Sequence, residues 1–226
     1  MAPKLYINPI SPPARAVLMC ANVLGVELKL VNVNLLHADN LKEEYWKKNP
    51  QCTVPLLEEE DGFILPDSHA IMAYLVAQYG KNDSLYPKND NRQRAIIDHR
   101  LHFDSSVLFN RGLCISKPLM LFGEEPSEER EPSEEKQRNL REAYQILDKI
   151  IEQSGTKFIA GNTITLADFS IFASLITFHI FFPCSDFPYI IAYVERFKKL
   201  PCFEINKEGL EIFSQLCSDA FKKRRK

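Results

Sequence analysis

The sequence contains no Cys-x-x-Cys spacing, because its six cysteines lie far apart along the 226 residues. Isolated cysteines argue against a zinc site and against a disulfide framework, so we expect no metal and a reducing, cytoplasmic location. The sequence also lacks an apolar run long enough for a membrane span, and Lys4 and several prolines interrupt its N-terminal stretch. Neither a membrane span nor a signal peptide is therefore expected.

An excess of charge of one sign is missing as well. The 28 basic side chains nearly balance the 30 acidic ones and leave a formal net charge of -2. A nucleic-acid-binding protein normally carries a basic excess on one face, so no nucleic-acid partner is expected. The one basic run, residues 222–226, is interpreted as a solvated, disordered end. A localisation or membrane-surface signal is the alternative for this run.

Short strand and helix patterns alternate through residues 1–80. Two strand patterns flank a helix that opens at Pro12-Pro13 and closes at Gly25. A hairpin pattern follows, and then Asp67 or Ser68 caps a helix that ends at Gly80. The order β-α-β-α-β-β-α predicts an α/β domain with a mixed sheet. The strands are predicted over residues 4–8, 28–33, 54–57 and 62–65, and the intervening short helix over residues 39–47.

Residues 81–91 are polar and are interpreted as a linker, after which only helical spacing remains. We expect a long helical stretch over residues 92–122 that breaks or kinks near Gly112 and Pro118. A mobile acidic loop is expected over residues 123–135, followed by amphipathic and strongly apolar helices. The chain is thus predicted to have an α/β domain of residues 1–80, this linker, and an all-helical domain of residues 92–226.

Ser11 lies between the first strand and the helix opened by Pro12-Pro13. A side chain at this place lies beside unpaired backbone N–H groups and the positive end of the helix dipole, which stabilise an anion. The alternative is that Ser11 is merely the N-cap of the helix. The spacing alone leaves both interpretations open.

Two further signals are weak when taken singly. A cis bond at Val54-Pro55 would leave the N–H and C=O of Val54 free to pair with an extended peptide, while a plain turn proline is the alternative. Asp67 and Ser68 could form a corner that binds a carboxylate and an ammonium, while a simple capping pair is the alternative.

Several motifs stand together in one order along the chain: Ser11-Pro12-Pro13-Ala14-Arg15-Ala16-Val17, Asn49 to Pro55, Asp67-Ser68-His69-Ala70-Ile71, and Gly161 to Asp168. Together they resemble the motifs of insect cytosolic glutathione S-transferases, most closely the epsilon class and next the delta class. The last segment is similar to the capping box and hydrophobic staple of that family, with Thr165 and Asp168 as the reciprocal pair.

The resemblance implies the glutathione transferase fold: a thioredoxin-like domain that binds glutathione, joined to a helical bundle that carries the site for a hydrophobic co-substrate. It implies that Ser11 donates its O–H to the glutathione sulfur and keeps it as the thiolate. Val54 would pair with the cysteinyl backbone beside cis-Pro55, and Asp67 and Ser68 would hold the γ-glutamyl ammonium and carboxylate. The implied glutathione-binding residues are Asn40, Cys52, Val54, Pro55, Asp67, Ser68, His69 and Arg111.

The implied hydrophobic site draws mainly on the helical domain, and roughly half of its apolar members are expected to serve only as core. Its members are Ile10, Leu35, Leu36, Phe103, Val107, Phe109, Ile115, Leu119, Met120 and Phe213. Steroid-linked epsilon enzymes carry an acidic side chain at the position of Gly112, so this glycine disfavours a steroid role.

Three positions qualify the resemblance. Epsilon members usually carry histidines at the positions of Asn40 and Cys52, near the glycyl end of the tripeptide. Asn40 can still donate a hydrogen bond, whereas Cys52 hardly can, so weaker glutathione binding is expected. The alternative is that water and Lys42 hold the glycine carboxylate. Cys52 is interpreted as an inert buried thiol, with a redox thiol as the alternative. Tyr6 is the rival activator of the thiol, and Ser11 is preferred because the insect classes use the serine.

The expected function is conjugation of glutathione to hydrophobic electrophiles for detoxification, with organochlorine elimination or peroxide reduction as further activities. A ligandin-type carrier of hydrophobic compounds or steroids is the main alternative, and a structural or interaction module of the lens-crystallin kind is a second. The intact Ser11 argues against both. The resemblance also implies a homodimer, for which His69 and Arg94 are the predicted contacts; a catalytic-base role for His69 is the alternative.

Overall fold

The computed structural model describes residues 2–121 and 132–224, without the side chains of residues 117–121 and 219–224. Most of the predicted mobile loop, residues 123–131, lies outside the described residues, and so do residues 225 and 226. Residues 222–224 of the C-terminal basic run belong to a helix, whereas a disordered end was expected for this run. No helix in the described ranges is long and apolar enough to cross a membrane.

The first part of the chain forms one mixed four-stranded sheet in the order β2-β1-β3-β4. Strand β1 pairs in parallel with β2 and antiparallel with β3, and β3 and β4 form an antiparallel hairpin. The predicted order of strands and helices is confirmed. The elements are β1 Lys4–Ile7, α1 Pro12–Leu24, β2 Lys29–Asn32, α2 Glu43–Trp46, β3 Leu56–Glu58, β4 Ile64–Pro66 and α3 Ser68–Tyr79.

The segment between β2 and β3 is less helical than expected. Two 3₁₀ turns, Leu35–His37 and Asp39–Leu41, precede the single turn of α2. The side chain of Asn34 starts the first turn, because its Oδ1 accepts from the N–H groups of Leu36 and His37. This local capping favours short turns over one continuous helix.

Helices form the rest of the described chain: α4 Asn91–Phe103, α5 Phe109–Leu121, α6 Glu134–Ser154, α7 Leu166–Phe178, α8 Pro188–Phe197 and α9 Phe203–Arg224. The long helical stretch is interrupted by a π-helical segment, Asp104–Leu108, between α4 and α5. The predicted break near Gly112 and Pro118 is wrong, because α5 runs through both positions. Gly112 is retained for packing, since a Cβ there would lie 2.2 Å from the ring of Phe178.

Helix α7 is the centre of the helical domain, and all thirteen of its residues are buried. It begins at the predicted capping box of Thr165 and Asp168, which is confirmed. The Asp168 carboxylate accepts from the backbone N–H of Thr165 at 2.8 Å and from that of Ile159 at 2.9 Å. Helix α1 of the sheet domain packs directly on α7, so the two domains share one hydrophobic core.

Candidate active site

A cavity of about 410 Å³ lies where the sheet domain meets the helical domain. The sheet side contributes the loop after β1, the two 3₁₀ turns, the segment before β3 and the start of α3. The helical side contributes the π-helical segment, α5, α7 and α9. Many of the residues predicted to form the site line this cavity: Ile10, Ser11, Leu35, Leu36, Asn40, Cys52, Val54, Pro55, Asp67, Ser68, His69, Phe109 and Phe213.

Ser11 is both the N-cap of α1 and part of the cavity wall. Its Oγ accepts from the N–H of Ala14 at 3.4 Å, and its own N–H donates to the carbonyl of Asn8 at 3.0 Å. The expected unpaired N–H groups are not there, because the first two helical residues are prolines and lack them. The hydroxyl hydrogen of Ser11 has no acceptor among the described residues. A capping hydroxyl can therefore still donate to a ligand.

Tyr6 lies in strand β1 and does not line the cavity. Its hydroxyl donates to Glu58 Oε2 at 2.8 Å. The carboxylate of Glu58 also accepts from Lys4 at 2.8 Å and from Lys48. These lysine hydrogen bonds lower the pKa of Glu58 to about 2, so it is ionised and retains the Tyr6 hydroxyl at neutral pH. The geometry favours Ser11 over Tyr6 as the residue that meets a ligand.

The segment before β3 presents free backbone groups to the cavity. The Val54–Pro55 peptide bond is cis, as the family resemblance implied. No hydrogen bond within the described residues engages the N–H or C=O of Val54. The two preceding carbonyls already have partners. The Cys52 carbonyl accepts from Asn40 Nδ2 at 2.7 Å, and the Thr53 carbonyl accepts from the Tyr45 hydroxyl at 2.7 Å.

The start of α3 forms an acidic corner. Asp67 has a positive φ of 77°, which is uncommon for a residue other than glycine. Its Oδ1 accepts from the N–H groups of His69 at 2.9 Å and Ala70 at 3.0 Å, so it caps the helix. Its Oδ2 has no hydrogen-bond partner in the described part of the chain. Ser68 is buried beside it and also lines the cavity.

The side chain of His69 links the two domains within the chain. Its Nε2 lies 2.7 Å from Ser170 Oγ, and Ser170 donates in turn to Asp104 Oδ2 at 2.5 Å. Since the Ser170 hydrogen goes to Asp104, its oxygen accepts from the His69 Nε2–H. This network lies within one chain, and the dimer contact expected for His69 stays a prediction. The other predicted contact, Arg94, stacks over the ring of Tyr86 at 4.2 Å.

Asp104 was missed by the analysis of the sequence. It lies in the π-helical segment, lines the cavity and is only 3% exposed. Its Oδ2 also accepts from Ser174 at 3.3 Å, while Oδ1 is buried without a partner among the described residues. π-Helical turns often occur at functional sites. One signal in the sequence could have identified Asp104: it is an acidic residue between the apolar positions Phe103 and Leu108 of a helical pattern.

Four predicted residues do not line the cavity. Arg111 points elsewhere, because its Nη1 donates to the carbonyl of Asn139 at 2.7 Å and lies 3.4 Å from Glu142. Phe103, Val107 and Ile115 pack in the core, as roughly half of the apolar candidates were expected to do. The predicted pocket residues Leu119 and Met120 belong to α5, and their side chains lie outside the described part of the structure.

Two family models match the sequence. Residues 5–83 match the family described as "Glutathione S-transferase, N-terminal domain", and residues 116–205 match "Glutathione S-transferase, C-terminal domain". The chain belongs to the glutathione S-transferase family. The predicted family, fold and enzyme class are confirmed.

Similar proteins are insect transferases. "Glutathione S-transferase 1" of Manduca sexta is 39% identical, with 97% of each chain covered. The solved epsilon-class transferase of the housefly, Musca domestica, is 38% identical with a TM-score of 0.87, and covers 96% of this chain and 98% of its own. A glutathione transferase homolog of Drosophila mojavensis, solved with bound glutathione, is 38% identical with a TM-score of 0.88, over 96% and 97% of the two chains.

The described residues contain no group of three or more His, Cys, Asp and Glu side chains that could hold a metal ion. All six cysteines are free, and four of them are buried: Cys20, Cys184, Cys202 and Cys217. Cys52 is half-buried at the cavity and also has a positive φ of 54°.

Proposed function

We propose that this transferase binds glutathione in the cavity, holds its sulfur as the thiolate with Ser11, and transfers it to a hydrophobic electrophile. The main support for the proposal is the position of Ser11: this residue lines the cavity, and its hydroxyl hydrogen has no acceptor among the described residues. A charge-assisted hydrogen bond stabilises a bound anion by about 1.5–3 kcal/mol, which corresponds to about one to two units of pKa.

The polar groups of the sheet domain match the tripeptide. The free N–H and C=O of Val54 can pair with the cysteinyl residue as an added strand does. Asp67 Oδ2 can accept from the γ-glutamyl ammonium, while the Ser68 hydroxyl can donate to the neighbouring carboxylate. The bound glutathione of the Drosophila mojavensis homolog supports this choice of ligand.

The glycyl end of the tripeptide has fewer donors. Asn40 already uses one of its two amide hydrogens on the carbonyl of Cys52, at 2.7 Å. Its other hydrogen is the main side-chain donor that this end offers, since a thiol donates weakly. We expect a higher KM for glutathione than in transferases that have histidines at the positions of Asn40 and Cys52.

The cavity also suits an apolar second substrate, because most of the large side chains that line it from both domains are aliphatic or aromatic: Ile10, Leu35, Leu36, Phe109, Leu113, Phe178 and Phe213. With an aryl chloride, the thiolate sulfur forms a bond to the ring carbon. The carbon–chlorine bond breaks, and chloride leaves with its electron pair. The thiol proton goes to solvent when the thiolate forms, so no metal or redox cofactor enters the balance.

Activity with a chloronitrobenzene tests the proposal against the carrier alternative. A transferase is expected to form the thioether and release chloride with saturation by both substrates. Ultraviolet titration of the enzyme–glutathione complex should show thiolate below the usual thiol pKa of about 8.5. Saturable binding of apolar ligands with no thioether formed would instead favour a ligandin-type carrier.

We propose a homodimer as the working assembly. Phe63, which is 43% exposed, packs on Tyr74 of α3 and leaves an aromatic surface open to solvent. The exposed ring of Phe63 beside α3 fits a dimer surface, because the family resemblance implied a homodimer with contacts at His69 of α3 and Arg94 of α4. Light scattering at micromolar concentration should give twice the mass of 26.0 kDa, and a monomer would contradict the proposal.

A further inference from the structure

Arg15 carries a buried positive charge for which the described part of the chain supplies no negative partner. Its side chain is in the second turn of α1 and is 1% exposed. The guanidinium forms no salt bridge within the described residues, and burial lowers its pKa to about 9, which is still above neutral pH. A buried charge without a counter-charge is costly, so it calls for a functional explanation.

All hydrogen-bond acceptors of this guanidinium are neutral. Nη1 donates to the carbonyls of Pro9 at 3.3 Å and Ile10 at 3.2 Å, and Nε donates to Asn206 Oδ1 at 2.9 Å. Nη2 donates to the Thr177 hydroxyl. These acceptors come from the loop after β1, from α7 and from α9, so both domains fix the position of the charge.

The guanidinium lies directly behind the cavity wall at Ser11. Ile10 and Thr177 both line the cavity, and the Ile10 carbonyl belongs to the peptide bond that leads to Ser11. The packing leaves the charge no room to move away. A Cβ at Gly209 of α9 would lie 2.7 Å from Arg15 Cδ and 2.2 Å from the carbonyl oxygen of Pro9.

Among the described residues, the cavity wall shows no other source of positive charge. Its described lining contains no lysine or arginine, and the acidic side chains of Asp67 and Asp104 form part of it. His69, its remaining ionisable base, donates its Nε2–H to Ser170. The start of α1 offers no free N–H, because of Pro12 and Pro13. A thiolate held only by Ser11 would therefore meet no positively charged side chain in the described part of the cavity wall.

We propose that Arg15 stabilises the glutathione thiolate through space, and that the thiolate is the counter-charge which the buried guanidinium otherwise lacks. This inference rests on the proposed function and adds a second determinant of thiol ionisation to Ser11. A unit charge at about 10 Å, with an effective dielectric constant of about 20, shifts a pKa by roughly one unit.

Asn206→Asp tests the inference with almost no change of shape. Asn206 Oδ1 already accepts from Arg15, and Nδ2 is buried without a partner among the described residues, so its replacement by oxygen removes no hydrogen bond. The new carboxylate neutralises the guanidinium. The thiol pKa of bound glutathione, measured by ultraviolet titration of the thiolate, is expected to rise by roughly one unit.

The matched control is Asn162→Asp. Asn162 is exposed, does not line the cavity, and uses its Oδ1 to accept from the N–H of Lys157, a contact that aspartate preserves. This variant adds the same net charge to the protein, and its thiol pKa should stay within a few tenths of the wild-type value. A rise in the control equal to that in Asn206→Asp would overturn the inference.

Substitution of Arg15 itself gives the second test. Arg15→Gln removes the charge and should raise the thiol pKa by roughly one unit, whereas Arg15→Lys keeps the charge and should restore most of the difference. A purely structural role would change thermal unfolding in these variants without moving the thiol pKa. If Arg15→Gln does not fold, Asn206→Asp remains decisive.

The outcomes separate this inference from the proposed function. If wild-type enzyme ionises glutathione and Ser11→Ala does not, but folded Asn206→Asp keeps the wild-type thiol pKa, the role of Arg15 is refuted and the proposed function stands. If the wild-type complex shows no thiolate at neutral pH, the proposed function fails first.

Discussion

Removal of the Ser11 hydroxyl should separate the chemistry of the site from the stability of the fold. In Ser11→Ala, the lost cap to Ala14 is long, at 3.4 Å, so its contribution to stability lies near the lower end of the range for N-caps, about 0.5 kcal/mol. The lost hydrogen bond to the thiolate is worth about 1.5–3 kcal/mol, or about one to two units of pKa.

The effect on turnover follows from the fraction of glutathione that is ionised. Arg15 is present in both forms, so a bound thiol pKa of about 5.5 to 6.5 in the wild type compares with about 7.5 in Ser11→Ala. At pH 5.5 roughly a tenth to a half is then thiolate in the wild type, against about 1% in the variant. Turnover of a chloronitrobenzene should therefore fall about 10- to 50-fold at this pH. The deficit should shrink as the pH rises towards 9, because the free thiol then ionises unaided.

Tyr6→Phe is the matched control, since it also deletes a single hydroxyl oxygen. Its hydroxyl donates to Glu58, which keeps its two lysine partners, so about 1 kcal/mol of stability is lost at most. Turnover and thiol pKa should match the wild type. The reasoning fails if Tyr6→Phe loses the activity while Ser11→Ala retains it, or if the Ser11→Ala deficit does not depend on pH.

Three further substitutions test the structure around the site. Gly112→Ala places a Cβ 2.2 Å from the Phe178 ring, so we expect about 1–3 kcal/mol of destabilisation in thermal unfolding. The KM for the electrophile should also change more than the KM for glutathione. Equal changes in the two KM values would contradict the assignment of Phe178 to the apolar wall. Asp104→Asn weakens the acceptor for Ser170 and should cost about 1–3 kcal/mol in urea unfolding, and an unchanged midpoint would show that this network contributes little. Glu58 has its pKa lowered to about 2, so its ion pairs stabilise the fold above the ordinary pKa of about 4.3 and this contribution is lost as the pH falls towards 2. Glu58→Gln should accordingly flatten the fall in urea-unfolding stability between pH 4.3 and pH 2, and an unchanged slope there would refute the assignment.

The local signals in the sequence were sufficient for the strands and for most helices, whereas the sheet-side residues of the cavity were implied by the family resemblance. Pro12-Pro13 and Gly25 bound α1 because their constraints are local to the backbone, and the capping box at Thr165 likewise depends on residues three positions apart. Such features survive in any tertiary context. They fix where Ser11 lies relative to its helix.

Features that depend on distant residues could not be predicted in the same way. Arg111 was expected at the cleft because of its helix. Its guanidinium donates instead to the carbonyl of Asn139, which lies 28 residues further along the chain. The role of Gly112 depends on Phe178 of α7, so helix propensity alone predicted a break that packing prevents. Asp104 could be found only from its buried contacts with α7.

The different groups that the two domains contribute also explain why the site forms at their junction. The sheet domain supplies the hydroxyl of Ser11, but the start of α1 has no free N–H group to support a thiolate beside it. The charge that we assign to this task sits on α1, yet two of its anchors, Thr177 and Asn206, belong to the helical domain. If the thiolate needs that charge, a sheet domain that binds glutathione without its helical partner cannot ionise it as strongly. Domain packing then contributes directly to the chemistry, in addition to forming the wall for the second substrate.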